Sequence, residues 1–64
     1  MIYVIQITDR NGEYIARRHF HHSYTKKLEN ARGFSSLERA YKEGLCENER
    51  VVAIDSIIQV EDGD

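Results

Sequence analysis

The sequence predicts an α+β domain: a three-stranded antiparallel sheet in ββαβ element order, strand order 2-1-3, with one short helix packed on one face. Three observations carry that expectation. Residues 2–8 and 51–60 are rich in β-branched residues, which is strand composition. Asp9-Arg10-Asn11-Gly12 after the first run is a turn signal. Ser35 with Glu38 three residues later, followed by apolar residues at helical spacing, opens a helix between the two runs.

Strand 1, residues 2–8, is apolar on both faces apart from Gln6, which makes it central. Asp9 suits the first position of a type I turn, and Gly12 the left-handed residue of the bulge that follows. Residues 13–20 then return antiparallel. That turn sets Thr8 opposite Tyr14, Ile7 opposite Ile15, Ile5 opposite Arg17 and Ile2 opposite Phe20. Arg17, Arg18 and His19 mark strand 2 as an edge.

Residues 21–33 lack a period and read as a loop of functional size, closed by Gly33, with room for a helical turn around 24–30. The helix covers roughly 36–43, with Leu37, Ala40 and Tyr41 facing inward, Gly44 as the glycine after its end and Leu45 packing behind it. Residues 46–50 are a polar connection. Strand 3, residues 51–60, puts Val52, Ile54, Ile58 and Val60 on one face and Asp55 and Gln59 on the other, with a bend or bulge at Asp55-Ser56. Residues 61–64 form an acidic tail expected to fray. One helix cannot cover both faces of such a sheet, so the open face is the expected place of work.

Sixty-four residues make one domain, 1–64, of formal charge −2, with 41% hydrophobic and 31% charged residues. A domain of this size hides only ~60% of the surface its unfolded chain exposes, so the core is thin. The single cysteine, Cys46, excludes an internal disulfide and suits a reducing, cytoplasmic compartment. The longest apolar run, Met1-Ile2-Tyr3-Val4-Ile5, is far short of the ~20 residues of a membrane span, and no signal-peptide pattern follows it. The expectation is a protein without membrane partners.

Charge is segregated along the chain. Residues 1–16 carry net −1 and residues 17–42 net +5, from Arg17, Arg18, Lys26, Lys27, Arg32, Arg39 and Lys42 against Glu29 and Glu38. Residues 43–64 carry net −6. The two blocks either neutralise each other within the fold or leave a basic rim that meets an acidic surface.

Arg17-Arg18-His19-Phe20-His21-His22 is the most unusual stretch. As a strand it would put Arg17, His19 and His21 on one side and Arg18, Phe20 and His22 on the other. Two histidines at that spacing can share a metal, and clustered imidazoles can sense pH near neutrality. With no second cysteine and no paired ligand spacing, neither a metal nor a cofactor is expected. Catalysis is not expected either. Cys46 lies just past a helix end, where the dipole disfavours a thiolate, and the glycines are too scattered to form a phosphate loop.

Binding remains. Arg17, Arg18, Phe20, Tyr24, Lys26, Lys27 and Arg32 combine cations with aromatic anchors, which suits recognition of an acidic protein surface. The alternative is a nucleic-acid-binding module on the same residues, weakened by the net acidic charge. Strand 2 is also the expected edge for a homodimer. The strand–strand–helix–strand plan is similar to that of several tiny bacteriophage proteins that bind and inhibit host enzymes, such as RNA polymerase inhibitors. The likeness is one of element order and carries no motif residues; it implies a regulator or inhibitor.

Overall fold

The computed structural model describes residues 1–43, 45–55, 58 and 60. Strands β1 (Ile2–Ile7), β2 (Tyr14–Ile15), β3 (Tyr24–Thr25) and β4 (Glu49–Ile54) form one antiparallel sheet in the order β3-β2-β1-β4. A 3-10 turn, Leu28–Asn30, and a five-residue helix α1, Leu37–Tyr41, lie between β3 and β4. The class is α+β with one short helix, but the sheet has four strands rather than three, and three of them precede the helix. The likeness in element order to the phage inhibitors goes with the ββαβ plan.

The turn after β1 differs from the expected type I turn with bulge. Asn11 and Gly12 both have positive φ, 54° and 78°, and the Glu13 N–H donates to the Arg10 carbonyl at 3.1 Å. Two left-handed central residues make a type I′ turn, for which Asn-Gly is the preferred pair. Beyond the turn Gln6 pairs with Tyr14, and the Ile7 N–H reaches the Glu13 carbonyl at 2.7 Å. The register is displaced by two residues from the expected one, a slip that keeps every side chain on its own face.

Strand 2 ends at Ile15, not at residue 20, because β1 and β2 diverge and another segment enters between them. Ala16 bridges Ala31, with Arg32 N–H to Ile15 carbonyl at 2.9 Å and Arg17 N–H to Asn30 carbonyl at 2.8 Å. Phe34 bridges Tyr3 on the other side, exchanging bonds of 3.0 and 2.8 Å. Residues 30–33, the end of the loop expected over 21–33, and Phe34 after them thus bond to the end of β2 and to the start of β1. They satisfy backbone groups that a short strand leaves open. β3 pairs with the outer side of β2, so β2 is not the sheet edge that was expected.

β1 and β4 pair along their full lengths, from Ile2 opposite Ile54 to Ile7 opposite Glu49. β4 begins two residues earlier than the composition indicated and stops at Ile54, next to the expected break at Asp55-Ser56. The expected roles of Gly44, Ser56, Gln59 and residues 61–64 lie outside the described residues.

Ser36, not Ser35, caps the helix: its Oγ accepts the Arg39 N–H at 3.2 Å. The shift by one residue places Glu38 at the second helical position rather than the third. The buried face of the helix is also narrower than the spacing indicated. Ala40 is fully buried, whereas Leu37 and Tyr41 are 46% and 57% exposed. Ile5, Phe34 and Ala40 form the core cluster, with Tyr3, Ile15, Leu45 and Val51 packed around it. Val4 and Ile5 point to opposite faces of the sheet, yet both are buried. The centre of the sheet is therefore buried on both faces at this strand.

Candidate binding surface

The exposed chemistry gathers where β2 and β3 end. After Ala16 the backbone turns sharply: the Phe20 N–H donates to the Arg17 carbonyl at 3.2 Å, and His19 has φ +66°. Positive φ at the third position is the mark of a type II turn, where glycine is the usual residue. His19 holds a left-handed conformation that a side chain disfavours. Arg17 and Arg18 are exposed on this turn. The strand alternation expected for 17–22 is absent, and the rings come together instead. Phe20 is 4.5 Å from His21 and 6.2 Å from His22 between centroids, and the two histidines are 4.3 Å apart. The Arg17 guanidinium lies 5.4 Å from the Phe20 centroid, within cation–π range.

Tyr24 sits on β3, 37% exposed, with the Arg10 guanidinium 4.4 Å from its ring centroid. Arg10 also pairs with Glu13 at 3.0 Å. In the sequence Arg10 is simply a turn residue, and nothing local to it indicates that the β2–β3 pairing brings Tyr24 beneath it. The buried Thr25 accepts the Lys27 N–H on its Oγ1 at 3.1 Å, a side-chain turn that leaves Lys26 and Lys27 exposed just beyond β3.

Arg32 departs from expectation. Its Nη1 pairs with Glu43 at 3.1 Å and its side chain is half-buried, so this arginine is already engaged in part by the chain's own acidic block. Its Nε is buried with no hydrogen-bond acceptor.

The ring cluster is a wall between two shallow clefts. One, of about 400 Å³, has Arg17, Arg18, His19 and Arg32 along its sides with Glu49 at its margin. The other, of about 460 Å³, is bordered by Lys26, Lys27 and Glu13. Phe20, His21, His22 and Tyr24 line both. The structure thus brings all seven expected residues to one end of the molecule and divides them, arginines on one side of the rings and lysines on the other. Among the described residues no group of three His, Cys, Asp or Glu side chains is placed to hold a metal ion, and Cys46 is an exposed free thiol. No helix among them is long and apolar enough to cross a membrane. No protein-family model, curated protein or solved structure matches this chain.

Proposed function

We propose that this chain is a non-catalytic cytoplasmic binding module that recognises an acidic protein surface through the cationic end of its sheet. The observation that supports the reading is the grouping of exposed Arg17, Arg18, Lys26 and Lys27 around the Phe20–His21–His22 ring cluster and Tyr24. Cations speed the encounter with an acidic partner, and rings held by neighbouring rings add contact area with little side-chain entropy left to lose. Exposed charges of this kind govern association rate and partner choice more than affinity, so the partner is expected to bind with strong salt dependence. A regulator or inhibitor that masks an acidic face of another protein is the role this surface suits.

Fluorescence anisotropy with a labelled Asp/Glu-rich peptide tests the reading, with a single-stranded oligonucleotide alongside. Arg17→Glu combined with Arg18→Glu is expected to preserve the circular dichroism spectrum while abolishing peptide binding. Binding of the peptide unchanged by that double reversal would defeat the proposal. Binding of the oligonucleotide alone, falling steeply with salt, would replace it with the nucleic-acid reading, which the interleaving of rings and cations also suits.

A further inference from the structure

We infer that the arginine-lined cleft beside the 17–20 turn is a binding site for a terminal phosphate group, either free as a small phosphate monoester or carried on a phosphorylated side chain. This goes beyond the acidic-surface reading, because the ligand is one compact dianion seated in a cleft rather than an extended surface lying across the ring wall.

Four observations converge on it. The first is charge: Arg17, Arg18 and Arg32 line the cleft, and Glu49 is the one carboxylate among its described lining residues. Glu49 Oε1 accepts the Cys46 N–H at 3.0 Å and Glu43 pairs with Arg32 Nη1, and among the described residues neither acid forms an ion pair with Arg17. The second is the unsatisfied donor. Arg32 Nε is buried without an acceptor, and native proteins rarely leave such a group unpaired. An oxyanion entering the cleft offers it a partner after a small rotation of the guanidinium.

The third is backbone strain. His19 keeps a left-handed conformation at the rim of this cleft although glycine would relieve it. Strain of this kind collects at ligand clamps and binding turns. His19, His21 and His22 add imidazole N–H donors along the same wall. The fourth is shape. A volume of about 400 Å³ exceeds that of a bare phosphate and falls in the range of small-ligand sites. Phe20 and Tyr24 give the group that carries the phosphate an apolar surface to rest on.

The chemistry favours a monoester over a diester or a carboxylate. Planar guanidinium forks bind oxyanions through paired N–H donors, and a terminal phosphate offers three acceptor oxygens with a charge near −2. A backbone diester offers a single charge and two free oxygens, and a carboxylate likewise.

Amide NMR shifts on titration with inorganic phosphate and with phenyl phosphate, at constant ionic strength, test the site. Saturable shifts confined to residues 15–24 and the neighbourhood of Arg32 are expected, with phenyl phosphate the tighter of the two. Arg17→Gln is expected to weaken binding tenfold or more. Arg17→Lys, which keeps the charge and loses the fork, is expected to lie between, and dispersed spectra confirm that each variant is folded. A phosphopeptide binding at least tenfold more tightly than phenyl phosphate would place the source on a protein; equal affinities would place it on a small ester. Non-saturating shifts spread equally over Lys26, Lys27 and Lys42, unchanged affinity in Arg17→Gln, or equal competition by a phosphodiester oligonucleotide would each overturn the inference. Both readings use Arg17, so an unphosphorylated Asp/Glu-rich peptide is titrated alongside: phosphate binding without peptide binding would uphold this inference and defeat the acidic-surface reading, and peptide binding without phosphate binding would do the reverse.

Discussion

Arg32 and Glu43, eleven residues apart, meet at 3.1 Å, joining the basic middle of the chain to its acidic end. The contact ties the segment wedged between β1 and β2 to the end of α1. It also gives one arginine of the cationic rim an internal partner.

Both side chains are partly exposed, so the pair itself contributes little, about 0.2–1 kcal/mol. Arg32→Ala is expected to cost more than Glu43→Gln, because the alanine also removes a half-buried alkyl stem. Urea unfolding of the two variants checks the order. The charge-swapped double variant Arg32→Glu/Glu43→Arg should recover part of the loss; no recovery would mean that the two side chains act independently.

Two positive-φ positions should respond in opposite directions. Gly12 has φ +78°, and a Cβ there would lie 3.2 Å from Gln6 Nε2, which itself donates to the Gly12 carbonyl. Gly12→Ala is expected to destabilise by about 1–2 kcal/mol. It should also disturb Arg50, which donates to Gln6 Oε1 from Nε and Nη2 at 3.1 and 2.8 Å. His19→Gly is expected to stabilise by about 0.5–1 kcal/mol, the relief of strain exceeding the added freedom of the unfolded chain. Thermal melts would show a lower midpoint for the first and a higher one for the second.

Phe34 and Leu37 separate burial from hydrophobicity. Phe34 is 1% exposed at the centre of the core, and Phe34→Ala is expected to cost about 3–5 kcal/mol. A chain of this length has about 3–10 kcal/mol in all, so that variant should be largely unfolded by circular dichroism. Leu37→Ala, at a residue 46% exposed, should change stability by no more than about 1 kcal/mol. Equal losses at the two sites would show that α1 packs by its other face.

Ser36→Ala removes the acceptor of the Arg39 N–H and should cost about 1 kcal/mol, with Ser36→Asp close to neutral. A five-residue helix cannot persist alone, so loss of its cap should appear first as fast amide exchange across α1.

The existence of β1, its central place and the location of the first turn were legible in the sequence, because each depends on local composition. The run 2–8 is strand-forming at nearly every position, and Asn11-Gly12 favours the left-handed pair that a type I′ turn requires. The adjacency of β1 and the last strand was legible for a related reason: a strand apolar on both faces needs a neighbour on each side. The capping of α1 was legible to within one residue, since Ser35 and Ser36 are chemically alike and only packing chose between them.

Among the site residues, the sequence determined which side chains cluster but not what holds them. Arg17, Arg18, Phe20, Tyr24, Lys26, Lys27 and Arg32 lie close in the chain, so almost any compact fold would bring them to one region. Tertiary structure decided that residues 17–20 turn rather than extend, that Tyr24–Thr25 becomes the edge strand, and that Arg32 pairs with Glu43. Each of these depends on residues 30–34 entering between β1 and β2, a placement fixed by burial of Ala31 and Phe34 and by backbone groups that had no other partner. Long-range pairing of that kind leaves no periodic trace in a sequence, because its energy comes from surfaces that meet only once the chain has folded.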